Sequence, residues 1–363
     1  MTGRSDLSRQ LPLDGTTPAK TFVLEVHADN AEDYLNQIAD RFAVEPTEDA
    51  YLSRVQTQTG DFWVDRLNTR FWTFHTIMPS GAAASWLTRL VESRHDTDWM
   101  WLPSAHLRNV APSALPRKVR TEFMGTRLVS PDEAAQDLKV QLTGTHAERL
   151  LDEIAALPQY RSAVSFNTIE VDLDDPELGT LRENVRRWGA FAARGDDFTH
   201  HAQFVRTVIG RYARLIESVE ALAIGFEPIQ SVSDQMPEEV DGAGATFAGA
   251  PIGIQFSRRI ADLPLFCDEL FSSRVPFRLW GRPVIVGHTA LVDAVDLHVG
   301  QRLTMEIGHN WMRVYLRAGS CGNTVARLVS NLQTRFDSAL SLSEPVLQEA
   351  MALQPTVSGT LSH

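Results

Sequence analysis

The chain has 363 residues, 43% of them hydrophobic and 22% charged, a length that suits two or three ordinary domains and a composition that suits a packed protein. Its formal net charge of −12 argues against general binding to nucleic acid or anionic membranes, because the field of the whole molecule repels polyanions. No apolar run approaches the ~20 residues that cross a bilayer, the N-terminus lacks the apolar core of a secretory signal, and Cys267 and Cys321 are too few for a disulfide framework. The expectation is a cytoplasmic protein with reduced thiols and no membrane contact.

In chain order, residues 1–20 read as a disordered tail, rich in Ser, Thr, Gly and Pro without periodicity. A first α+β unit covers 21–97. It opens with a strand over Thr21–Ala28, an Asp29/Asn30 cap, and a helix whose apolar positions are Tyr34, Leu35, Ile38 and Phe42. Extended segments follow near Tyr51–Thr59, Phe62–Leu67 and Arg70–Met78, and Ser80 caps a helix carrying Ala83, Trp86, Leu87, Leu90 and Val91. Residues 98–135 form a connector punctuated by Pro103, Pro112, Pro116 and Pro131.

The second unit, 136–225, runs from a strand at Leu138–Gly144 through a short helix and two extended segments. It ends in a long helix, roughly Asp197–Ala223, with Val205, Val208, Ile209, Tyr212, Leu215, Ile216 and Val219 at helical spacing. An acidic, Gly/Ala-rich linker spans 226–250. The third unit, 251–340, repeats the order with a strand at Ile252–Ser257, a short helix, strands up to Trp311–Ala318, and a last helix at Asn323–Phe336. Residues 341–363 read as a C-terminal tail. Strand, helix, strands, helix thus recurs three times as a pattern and not as residue identity.

Runs of strands closed by helices predict an α+β fold of antiparallel sheets covered by helices on one face. The order resembles TATA-binding-protein-like or helix-grip topology, as an analogy of element order alone. Such sheets leave a face for binding. In the third unit Trp311, Arg313, Tyr315 and Arg317 share one side of a strand opposite Met312, Val314 and Leu316, and Arg302 alternates likewise on the strand before. Arg186 and Trp188 in the second unit, and Arg70 and Trp72 in the first, repeat the pairing of guanidinium and ring.

Three of the 34 basic residues are lysine (Lys20, Lys118, Lys139), so 31 are arginine. A GC-rich coding bias accounts for that balance as well as a need for planar, bidentate cations does. The function expected is a non-catalytic binding or assembly role, with these faces engaging a protein partner or another copy. Interleaved rings and guanidiniums also suit nucleic acid, against which the acidic balance weighs. An enzyme with acid/base residues gathered in a cleft is the alternative from another class.

Local chemical motifs point to no reaction: G-x-S-x-G, C-x-x-C and H-E-x-x-H are all missing. Gly242–Pro251 lacks the G-K-[ST] ending of a phosphate loop. His200 and His201, beside Asp196 and Asp197, are adjacent and not spaced three or four apart as paired helical ligands are, so capping is the expectation there. In the stretch His288, Asp293, Asp296 and His298, only Asp296 and His298 would share a strand face. Glu122, Glu170, Asp172 and Glu183 are candidate acid/base groups with nothing local to bring them together. No metal or cofactor is expected on these grounds.

Overall fold

The computed structural model describes residues 4–13, 18–40, 42–130, 137–227, 246–345 and 347–348. A 3-10 turn at Arg4–Asp6 leads into α1 (Leu7–Gln10), β1 (Lys20–Val26), α2 (Ala31–Ala39), β2 (Val44–Pro46), β3 (Leu52–Thr57), β4 (Gly60–Asp65), β5 (Phe71–Thr76) and α3 (Ser80–Ser93). β6 (Thr97–Trp99), α4 (Ser104–Arg108), β7 (Pro116–Met124), β8 (Asp137–Thr143), α5 (Ala147–Ala156), β9 (Thr168–Asp175), β10 (Gly179–Arg186), β11 (Ala190–Gly195) and α6 (Phe198–Glu220) follow. A two-stranded ribbon, β12 (Gly225–Glu227) and β13 (Thr246–Ala248), precedes β14 (Ile252–Gln255), α7 (Leu263–Leu270), β15 (Leu279–Gly281), β16 (Val284–Val286), β17 (Thr289–Asp296), β18 (Arg302–Ile307), β19 (Trp311–Leu316), α8 (Asn323–Arg335) and β20 (Ser341–Leu342). Residues 228–245, most of the predicted linker and the start of Gly242–Pro251, lie outside the described residues.

The protein is α+β, with two antiparallel sheets. The larger runs β2-β3-β4-β5-β1-β11-β10-β9-β7-β8, with β6 also on β1; the smaller runs β15-β17-β18-β19-β14-β20, with β16 also on β17. In both, a first strand returns beside the last strand of a meander: β1 lies next to β5, and β14 next to β19. The segments on either side of the connector share the larger sheet through a short β1–β11 pairing, Lys20↔Ala192 to Phe22↔Ala190. The connector supplies β7, which is paired on both edges.

β1, KTFVLEV, is buried at all seven positions, and β5 at all six. Helices explain this, because they lie on both faces there. On one face Tyr34 of α2 meets Trp72 edge-on at 5.1 Å, and Trp86 of α3 lies 5.0 Å from Phe62. On the other, α6 places Tyr212 5.3 Å from Phe71 and Phe198 5.2 Å from His75. The caps are local and readable: Asn30 accepts from the amides of Glu32 and Asp33, and Asp197 from that of Thr199.

The smaller sheet alternates as the sequence predicts. Met312, Val314 and Leu316 are buried, Arg313 is exposed, and Trp311 and Tyr315 are half-buried. Its inner face meets α8, which is buried on nearly every side, polar positions included. Arg327 there donates to Asp98 of β6 and Asp296 of β17, Asn323 accepts from Tyr212 and donates to the Trp99 carbonyl, and Gln333 accepts the Ser104 amide. Arg327, Asn323 and Gln333 thus tie α8 to segments on both sides of it, while Thr334 bonds carbonyls of its own helix.

The N-terminal segment is more ordered than its composition predicts. Leu7, Leu11 and Leu13 are buried against Leu52, Trp63, Leu181 and Phe198. Three leucines at this spacing bury enough surface to anchor the described part of the predicted tail.

Candidate metal centre at the floor of a cleft

Glu25 stands on the α6-facing side of β1, and burial of that strand on both faces leaves its carboxylate wholly inaccessible. His27 follows two residues later, where the strand ends, with 35% of its side chain exposed. The smaller sheet supplies the other groups. His298 sits in the turn between β17 and β18, its amide donating to Asp296 Oδ1. Cys321 sits in the turn before α8, its amide donating to Gln301 Oε1 at 2.7 Å.

The four side chains converge. His298 Nε2 lies 3.0 Å from Glu25 Oε2, His27 Nε2 3.4 Å from Glu25 Oε1, and Cys321 Sγ 3.3 Å from Glu25 Oε2 and 3.7 Å from His27 Nε2. One donor atom from each residue lies within 4.8 Å of all the others. Metal–ligand bonds of about 2.0–2.3 Å in a tetrahedron place neighbouring donors about 3.3–3.8 Å apart, so the contacts seen are close to those a single ion requires. Two imidazoles, a thiolate and a carboxylate form a donor set suited to zinc-class ions. His298 Nδ1 is buried without a partner among the described residues, so nothing else fixes this ring's tautomer.

Electrostatics act in opposite directions on the two acids of the cluster. Burial pushes the Glu25 pKa up, but hydrogen bonds from His27 and His298 and the charges of His298 and Arg70 outweigh it and hold the carboxyl well below its usual range. Burial, joined by the neighbouring Glu25 charge, pushes the Cys321 thiol well above its usual value. Without a metal the thiol therefore keeps its proton and donates it toward Glu25. A divalent cation would compete for that thiol as a thiolate.

Arg70 completes the group. Its Nε donates to Glu25 Oε1 at 2.6 Å, and its other two nitrogens grip Glu220 at the end of α6 at 2.6 and 3.1 Å. Glu220 also accepts the Gly322 amide at the start of α8. A cleft of about 780 Å3 opens above, lined by His27, Thr69, Arg70, His95, Asp96, Glu220, Gln301, Ser320 and Cys321 among others. That is ample room for a small-molecule substrate.

The other sequence-predicted positions are dispersed. Arg70 is turned into the centre, while Trp72 is buried beneath α2 and donates its ring N–H to the Thr69 carbonyl. Arg186 is exposed with its guanidinium 5.8 Å from the Trp188 ring, but that ring is stacked on Phe22 at 5.9 Å and edge-on to Trp99 at 4.8 Å. These two pairs therefore do not form open rows, because α2 covers one ring and core aromatics engage the other. The row on β19 is open: Arg313 lies over Trp311 at 5.0 Å and Tyr315 donates to Glu306 at 3.0 Å, with Arg302 and Arg317 exposed.

Among the acid/base candidates, Glu122 pairs with Arg120 and Lys139, and Asp172 with Arg117 and Arg182. Glu170 lies 3.8 Å from Arg117. Glu183 faces the opposite way, into a buried chain in which it accepts from His201 Nδ1 at 2.7 Å. His201 Nε2 meets the Thr21 hydroxyl at 2.6 Å, and that hydroxyl meets His75 Nδ1 at 2.7 Å. Asp197 caps α6 as expected, but His201 belongs to this chain and not to the surface. Asp296 and His298 part company: Asp296 is taken by Arg327 and Thr324, and His298 goes to Glu25.

Sequence reasoning missed Glu25 and His27 altogether. The one available signal was a carboxylate and an imidazole, two residues apart, in and just after an otherwise apolar strand.

The chain is similar to an uncharacterized protein, MJECL33, of Methanocaldococcus jannaschii, with 26% identity over 88% of this chain and 84% of that relative. No solved structure matches it. Residues 8–351, which include all four members of the cluster, match the family described as MJECL33-like protein, and the chain belongs to that family.

Proposed function

We propose that this protein is a metal-dependent enzyme whose centre, built from His27, His298, Cys321 and Glu25, acts on a small polar substrate in the cleft above it. One observation carries the reading: four metal-ligating side chains, two from each sheet, meet within 4.8 Å at the floor of a substrate-sized opening. A zinc-class ion held there would supply a water of lowered pKa and a Lewis acid for a substrate oxygen. His27, His298 and Cys321 are assigned as ligands, and Glu25, in reach of all three, as the carboxylate that orients the water. His27, His298 and Arg70 together keep Glu25 ionised, and Glu220 keeps Arg70 in place.

The test is metal content. Protein purified without chelators and dialysed against metal-free buffer is expected to retain about one zinc per chain, and cobalt substitution is expected to give a thiolate-to-cobalt charge-transfer band. Cys321→Ser should remove the band, and His298→Ala should lower metal content. Protein that holds no metal and gives no cobalt band would refute the proposal.

The open face of the smaller sheet favours a second reading, a binding role with a protein partner. Trp311, Arg313 and Tyr315 share this face with exposed Trp280, Val284, Val286 and Leu291, from which the polar row Arg302, Thr304 and Glu306 of β18 separates them. Alanine at Trp311, Arg313 and Arg317 together should leave melting temperature nearly unchanged while ending co-purification of a stoichiometric partner. A large drop in melting temperature would make these residues packing groups.

A further inference from the structure

A second cavity, of about 240 Å3, lies between β5 and α6, away from the cleft. Phe71, Val205 and Ile209 form its apolar walls, and Thr73 and His75 its polar floor. Asp65, Asn68 and Arg206 also line it. Two of these three are engaged. Asp65 accepts from Arg4 at 3.1 and 2.8 Å and from the Leu67 amide, and the Asn68 side chain accepts the amides of Arg70 and Phe71. Arg206 is exposed and has no ion pair among the described residues. A cavity with an unneutralised guanidinium selects an anion.

The floor is neutral. His75 is wholly buried, and burial first, then the charges of His201, Arg206 and Arg4, hold its pKa well below the usual value. Its Nε2 lies 2.9 Å from the Thr73 hydroxyl, and its Nδ1 is held by Thr21. The remaining wall is Gly210, in the middle of a 23-residue helix, where a Cβ would meet nothing within 4 Å. Glycine inside a helix costs helix stability relative to alanine, and here it keeps space open over the cavity.

We infer that this cavity is a binding site for a small monocarboxylate with a compact apolar body, its carboxylate on Arg206 and its body against Phe71, Val205 and Ile209. A cavity of about 150 Å3 takes benzene, so 240 Å3 leaves room for a ring and a short acidic arm. The site is independent of the metal centre and shares no lining residue with the cleft.

Titration of the full chain with phenylacetate, followed by calorimetry and by protein NMR, tests the inference, with phenethylamine as the cationic probe of the same shape and acetate as the anion without a body. Phenylacetate is expected to bind at least tenfold more tightly than either. Arg206→Gln should weaken it about tenfold. Gly210→Val should abolish binding while the fold is retained, and Gly210→Ala should raise the melting temperature while weakening binding, a combination that a purely structural glycine would not give. Equal binding of phenylacetate and phenethylamine, no binding of phenylacetate, or binding untouched by Gly210→Val would each overturn it.

Discussion

Two buried carboxylates in this protein, each bonded to a buried histidine, are driven in opposite directions. Glu25 is held well below the ordinary carboxylate range, whereas burial raises the pKa of Glu183 against the opposing pull of His201. Burial acts on both. The difference is the number of partners: His27, His298 and Arg70 all reach Glu25, whereas His201 alone bonds Glu183, where Oε1 is buried without a partner among the described residues. One histidine bond does not offset burial at Glu183, whereas two histidine bonds with the His298 and Arg70 charges do so at Glu25. The first arrangement favours a charged carboxylate beside an opening; the second is a closed, buried chain of hydrogen bonds.

The largest expected effect tests that contrast directly. Glu25→Gln removes the buried charge that His298, Cys321 and Arg70 share and should cost about 3–5 kcal/mol of unfolding free energy. Glu183→Gln, which removes a carboxylate already inclined to neutrality, should cost about 1–3 kcal/mol. Urea denaturation of both variants gives the order, and the reverse order would break the comparison.

Next in size is the pH dependence. The folded pKa of His75 is depressed, so below about pH 6.5 the unfolded chain takes up a proton that the folded one does not, and stability falls with pH. The slope contributed is at most about 1.4 kcal/mol per pH unit. Glu25 works in the same direction but only below about pH 4.3, and Glu183 has the opposite sign, its contribution being lost as pH rises from about 4.3 through its raised folded value. Thermal melts between pH 7 and 5 should therefore fall for the native chain and flatten for His75→Gln.

Cys321 offers a chemical probe of the same centre. Burial and the Glu25 charge hold its thiol protonated, so alkylation of the metal-free native protein should be slow at neutral pH and should quicken about tenfold in Glu25→Gln. Mass spectrometry of partly alkylated protein distinguishes it from Cys267. The smallest effect belongs to the open row on β19. Arg313, 55% exposed and 3.3 Å from Glu306, should lose no more than about 1 kcal/mol on change to alanine.

Much of the fold was legible because periodicity is local. The alternation from Trp311 to Leu316 and the apolar stripe from Val205 to Val219 predicted a half-open strand and a packing helix, and both are present. The candidate centre was not legible, because its members at 25, 27, 298 and 321 become neighbours only when two sheets dock, and no spacing rule spans that distance. His298 was singled out for the wrong companion: Asp296 shares its strand face by pattern, yet Arg327 on α8 claims that carboxylate. On α8, Asn323, Arg327 and Gln333 are core groups, and what satisfies them lies far away in sequence.

The brief pairing of β1 with β11 also sets an order of events at synthesis. One edge of β1 takes β5 within some fifty residues, but the other is completed by partners at Ala190–Ala192, about 170 residues further along. At translation rates of about 5–20 residues per second the nascent chain holds part of that apolar edge unpaired for about 10–30 s. β6, with its short register from Leu24↔Trp99 to Val26↔Thr97, arrives much sooner and screens the far half of the same edge. The Thr97–Trp99 segment thereby covers part of the edge of a wholly buried strand about 90 residues of synthesis before β11 is made.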